Sequence, residues 1–134
     1  MNHAPNASLP ARSVTGGVRA VLQLEGLAVL AAAAAAYFIL GGNGWIFGLL
    51  FFAPDLSFAG YALGSRVGAA VYNAVHSYVL PLALGVAGWL LGVELVWQVG
   101  LIFLAHAGFD RSLGYGLKYG SAFAHTHLGV IGRG

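Results

Sequence analysis

Long apolar stretches separated by short glycine-rich or polar breaks leave this chain few ways to fold. They cover about residues 18–40, 45–63, 66–91 and 93–109. A bilayer core takes roughly 20 mainly apolar residues per helix, so each stretch is a candidate transmembrane span, the last at the short end. The chain has 134 residues, 59% hydrophobic and only 7% charged. A soluble domain carries roughly a quarter charged residues, and one this short has too much surface for its volume to hide the rest. Lipid is the solvent these residues call for. The expected fold is all-α, an integral membrane bundle of about four transmembrane helices. A polar leader, residues 1–17, would precede the transmembrane domain 18–110, and an interfacial tail, 111–134, would follow it.

The breaks and the basic residues set the topology. Gly41-Gly42-Asn43-Gly44 reads as a tight turn, because glycine and asparagine tolerate positive φ. Gly92 makes the last two spans a hairpin, and Pro54 and Pro81 fall inside the second and third. Arg12 and Arg19 precede the first span, Arg66 lies between the second and third, and Arg111, Lys118 and Arg133 follow the fourth. With four spans, every Lys and Arg shares one side, which the positive-inside rule makes cytoplasmic. The expected location is the bacterial cytoplasmic membrane, multi-pass, with both termini cytoplasmic. Trp45, Trp89 and Trp97 then gather near the opposite interface, as aromatic-belt residues do. Ala31–Ala36 offers small residues like those of a signal-peptide cleavage site. The long polar leader and Glu25 inside the apolar run argue against cleavage.

Several classes of function are excluded or left unmarked. A net charge of +2 without a basic stripe gives no nucleic-acid partner, and the absence of cysteine removes disulfides and thiolate metal sites. The lipid bilayer is the expected partner. A homo-oligomer through small-residue helix faces is a further expectation, from the alanine run and from Gly85, Gly88 and Gly92. Gly88 and Gly92 form a GxxxG pair, but in so glycine-rich a chain simple tight packing is the better explanation.

Polar residues within the spans carry the functional reading. Ionisable groups there cost about 2.5–3.5 kcal/mol each on insertion scales, so they face the bundle interior and mark function. At 1.5 Å per residue, Glu25 lies about 9 Å inward of Arg19, His76 about 15 Å inward of Arg66, and His106 about 7 Å from Arg111. Asp55 follows Pro54, and Asp110 ends the fourth span. Residues distant in sequence thus agree in depth, in the cytoplasmic half. His106 and Asp110 are four apart and share a helix face. Ala69, Asn73, His76 and Ser77 form a small and polar stripe on the third helix, where Asn73 and Ser77 could orient the His76 ring. Asp55, His76, His106 and Asp110 are therefore the candidate metal ligands, and Glu25 the candidate general base. Each also has a structural alternative. An intramembrane His can be an interhelical hydrogen-bonding group, Asp110 an interfacial ion pair with Arg111, and Glu25 the partner of a neighbouring Arg. His125 and His127 can reach one ion from an extended tail or be simple interfacial residues. Glu94, at the far interface, is expected to be solvated.

The segments Leu24-Glu25-Gly26-Leu27, Ala53-Pro54-Asp55-Leu56-Ser57 with Gly60-Tyr61, Tyr72-Asn73 with His76, His106 through Arg111, Gly114 through Tyr119, and Thr126 through Gly129 resemble the bacterial family catalogued as domain of unknown function 4260. The resemblance spans nearly the whole chain after the leader and implies membrane placement without an activity. A looser one is to bacterial inner-membrane proteins regarded as metal-dependent hydrolases, through Pro54-Asp55, His76-Ser77 and His106 with Asp110. That family tends to have a second acidic residue where this chain has Ser57, and another histidine where it has Tyr72 and Asn73. Two readings follow. One is metal-assisted hydrolysis of a lipid or lipid-linked substrate, with a divalent ion, zinc foremost, as cofactor. The other is a non-enzymatic bundle, either an accessory or assembly protein or a subunit handling ions or protons.

Overall fold

The computed structural model describes residues 16–115, 125–126 and 129–130. Helix α1 runs Gly16–Ile39 and α2 runs Gly44–Leu50. A 3-10 helix follows at Ala53–Leu63, then α3 at Ser65–His76, α4 at Val79–Leu91 and α5 at Glu94–Ser112. The fold is all-α apart from a two-residue antiparallel pairing of β1, His125–Thr126, with β2, Gly129–Val130. Residues 1–15 of the leader and, in the tail, Leu117, Tyr119, Phe123 and His127 lie outside the described residues, while Gly16 and Gly17 already belong to α1.

Local chemistry sets the boundaries. Asn43 caps α2, its side-chain oxygen accepting from the backbone N–H of Trp45 and Ile46 at 2.8 and 3.2 Å. Pro54 sits at the start of the 3-10 helix, where a missing N–H costs nothing, and so divides this stretch in two. Runs of 3-10 helix beyond three or four residues are uncommon, so an 11-residue one marks an unusual segment. The next stretch breaks at Ser77, in extended conformation, and not at Pro81, which falls early in α4. Gly92, with φ of 68°, ends α4 in the left-handed region.

Two stretches are long and apolar enough to cross a membrane, Gly16–Ile39 and Gly44–Leu63. The pair α3 and α4, bent by 45°, makes a third if counted as one span. Helix α5 occupies the place of the fourth expected span and carries Glu94, Gln98, His106, Asp110 and Arg111. Ten of its 19 residues are buried, against three of 24 in α1. It packs chiefly between α1 and α4, with lesser contacts to α2 and α3. Protein surrounds much of α5, so it needs less apolar character than a helix facing lipid.

Glycines make that enclosure possible. A Cβ on Gly108 would meet the Gly26 carbonyl and the Leu30 nitrogen, both at 2.6 Å, and one on Gly100 would meet Gly85 and the Pro81 carbonyl. Gly88 lies against Val96 and Trp97. Gly88 is thus spent on packing within the chain and Gly92 on ending a helix, so the GxxxG pair does not form an outward-facing motif. The tryptophans divide as well. Trp45 and Trp89 are exposed, whereas Trp97 is buried in a core with Tyr37 and Ile102. Trp97 is therefore a core residue, contrary to its expected place in an aromatic belt.

Candidate metal centre

Three elements meet at one point. Asp55 comes from the first turn of the 3-10 helix, just past the break after α2. His76 is the last residue of α3, at the second break. His106 and Asp110 come from unbroken α5, one turn apart on one face. One ligand atom from each of these four residues lies within 4.8 Å of all the others, a group that could hold a metal ion.

The donor atoms alternate. His76 Nε2 is 3.2 Å from Asp55 Oδ1 and 3.6 Å from Asp110 Oδ2. His106 Nε2 is 3.2 Å from the same Asp55 oxygen and 3.3 Å from the same Asp110 oxygen. A tetrahedral ion with ligands at about 2.0–2.2 Å holds those ligands about 3.3–3.6 Å apart. The nitrogen–oxygen edges of this cluster thus have nearly the lengths such an ion requires.

The ring nitrogens are arranged as in a ligand set. His76 Nδ1 lies 2.9 Å from the carbonyl of Tyr72, and a carbonyl only accepts, so Nδ1 carries the proton. In the neutral ring Nε2 then presents a lone pair to two carboxylates, an arrangement that calls for a cation or a proton between them. A second ring nitrogen donating to a backbone carbonyl is the usual support of a metal-bound histidine. His106 is more telling. Its side chain is 1% exposed, its Nε2 lies 3.2 and 3.3 Å from the two carboxylate oxygens without well-aligned hydrogen-bond geometry to either, and the Phe51 backbone also neighbours the ring.

The supporting residues were not foreseen. The Tyr72 ring stacks on His76 at 3.7 Å between centroids and 7° between planes, and its hydroxyl donates to Asp110 Oδ2 at 3.5 Å. Tyr72 therefore orients His76 through both ring and carbonyl, while the Ser77 hydroxyl turns back to the Ala74 carbonyl at 3.3 Å. Phe51 and Phe52 meet the His106 ring edge-on at 5.3 and 6.1 Å. Arg111 is only 5% exposed. Its guanidinium donates to the His76 carbonyl at 2.9 Å and to the Tyr115 carbonyl at 3.3 Å, and lies 5.5 Å from the centre of the Tyr78 ring. It does not form the interfacial pair with Asp110. It holds the frayed end of α3 against α5, satisfying a carbonyl the helix break leaves open. The signal for this was faint: an arginine directly after a ligand, at a helix end.

Glu25 is exposed on α1 and is not among the four donors. Glu94 accepts from buried Gln98 at 3.2 Å, at the opposite end of α5. The backbone of His125 pairs with Val130.

No curated protein and no solved structure matches the chain. The looser likeness to metal-dependent hydrolases therefore has no support beyond the residues that suggested it. A family model does match residues 19–131, nearly the whole length, and takes in all four donors, Tyr72 and Arg111. This chain belongs to the family described as Domain of unknown function (DUF4260).

Proposed function

We propose that Asp55, His76, His106 and Asp110 bind one divalent metal ion, zinc foremost, within a membrane bundle, and that the centre hydrolyses an ester of a lipid or lipid-linked substrate. The observation that carries this reading is the cluster itself, two buried imidazoles whose Nε2 atoms each lie 3.2–3.6 Å from the same two carboxylate oxygens. Two imidazoles and two carboxylates suit zinc, and the four nitrogen–oxygen edges have about the lengths a four-coordinate ion requires. Charge balance agrees, since two carboxylates neutralise a dication. By the positive-inside reading the centre lies in the cytoplasmic half of a bacterial inner-membrane protein.

A bound dication would supply an activated water and polarise a phosphoryl or acyl oxygen. The chain's own residues hold the geometry. Tyr72 fixes the His76 tautomer, Arg111 fixes the end of α3, and Phe51 and Phe52 shield His106. In hydrolysis the water oxygen joins phosphorus or the acyl carbon, the ester bond breaks, and the water proton passes to the leaving oxygen. Glu25, on α1 and outside the donor set, is the candidate for that proton transfer. Unchanged turnover in Glu25→Gln would pass the role to Asp55, the most exposed donor.

A second reading has one observation in its favour. The 3.2 Å contact of His76 with Asp55 also has hydrogen-bond geometry, so a protonated His76 could join the helices without metal, as in a non-enzymatic accessory or ion-handling bundle. Elemental analysis of protein purified in mild detergent separates the two. About one zinc per chain is expected, following the four-ligand stoichiometry. Repeated absence of any divalent metal, after supplementation as well, would leave the non-enzymatic bundle.

A further inference from the structure

The four donors are unequally enclosed. His76 and His106 side chains are 0% and 1% exposed and Asp110 11%, but Asp55 is 38% exposed. The centre therefore opens on the side of the 3-10 helix. Residues three apart eclipse one another in that geometry, which puts Phe52 and Asp55 along one edge, with Leu56 next to it. Phe52 is 60% exposed and Leu56 77%. Both belong to the stretch Gly44–Leu63, only 6% of whose apolar window is buried, so this stretch lies at the periphery of the fold. A partly open carboxylate facing hydrocarbon is costly unless a polar group covers it. An aqueous route would need polar flanks, and these flanks are apolar. The surface is thus a polar point within an apolar surround, and its complement is an amphiphile.

We infer that substrate reaches the centre sideways from the bilayer, its hydrolysable polar group against Asp55 and its alkyl chain along Phe52 and Leu56. This rests on the metal-hydrolase reading and deepens it, making Phe52 and Leu56 determinants of chain recognition. The test uses the full chain, zinc-loaded, in phosphatidylcholine nanodiscs doped with phosphatidic acid bearing a diazirine on its acyl chain. Crosslinks are mapped by mass spectrometry and bound zinc is measured on the same sample. Crosslinking at Phe52–Leu56 is expected to exceed that at Leu90 and Leu91 of α4, which are comparably exposed, several-fold. The excess should disappear in Leu56→Asn with zinc retained. Even labelling of both surfaces would overturn lateral docking. So would the absence of labelling at Phe52–Leu56 in nanodiscs that hold two copies of the chain, which would make the segment a dimer contact. A sample lacking zinc yet showing the localised excess would sink the hydrolase reading and leave a lipid site.

Discussion

The molecule has two unlike halves. In one, α1, α4 and α5 are continuous helices drawn together by glycines, with Gly108 against Gly26 and Gly100 against Gly85. In the other, α2, the 3-10 helix and α3 are short segments separated by breaks, and α3 packs mainly on the 3-10 helix. The donors divide evenly between them. The continuous half supplies His106 and Asp110 at fixed helical spacing, and the broken half supplies Asp55 and His76, one at each break. Regular helices place two ligands on one face without further help. A break can aim a side chain sideways, but then needs other groups to hold it. Non-helical backbone at membrane depth is tolerated where it is buried in protein or lines a cavity, and here both breaks meet at the same buried cluster.

If the halves are bridged by a shared ion, the largest effect should come from losing one of its two enclosed imidazoles. His106→Ala is expected to lose most bound metal in elemental analysis, and adding Asp110→Ala should cost little more. Additive, modest losses of stability with metal retained would dissolve the contrast into ordinary helix contacts, worth about 0.6 kcal/mol each.

Next in size, Gly108→Ala strikes the continuous half. Its new methyl meets Gly26 and Leu30 backbone atoms at 2.6 Å, with no flexible side chain to yield. A loss of about 1–3 kcal/mol is expected in denaturation, as for overpacked cores. Wild-type melting in this variant would mean that the helices are not tightly packed there.

Arg111→Ala should act between the halves. Removing a charged donor from the His76 carbonyl costs about 1.5–3 kcal/mol and leaves the end of α3 unheld. Zinc affinity, measured by competition with a chelator, should fall, and Arg111→Lys should restore part of it through a single donor. Equal affinity in the alanine variant would show that α3 holds His76 alone.

The smallest effect belongs to Tyr72→Phe, which keeps the ring stacked on His76 and deletes only the long 3.5 Å bond to Asp110. Less than about 1 kcal/mol of metal-binding free energy is expected to go. A large loss would assign the hydroxyl a direct part in the centre.

The cluster of Asp55, His76, His106 and Asp110 was legible because each is a polar residue in an apolar stretch, and such stretches carry ionisable residues only for cause. The helix order was legible from Asn43, Pro54 and Gly92. The break at Ser77 was not, because Pro81 is the louder signal. Trp97 and Arg111 also misled. Near a helix end both types read as interfacial, and their burial depends on which neighbour leaves room. The Arg111 Cβ presses against Gly26, some 85 positions away in sequence, and no periodicity within one helix reports that. His76 falls in the cluster with the other three residues, but its orienting partner is a backbone carbonyl, which every residue possesses.

Among the described residues helix α5 is the last helix in chain order, and it supplies half of the candidate donors. During synthesis Asp55 and His76 are present long before any partner that could complete a binding set with them. The pair can offer an ion only two ligands until α5 is in place. Metal capture would then wait for α5, and a chain arrested or cut before residue 106 would be unable to take up the ion. Occupancy would so record that α5 has joined the earlier helices.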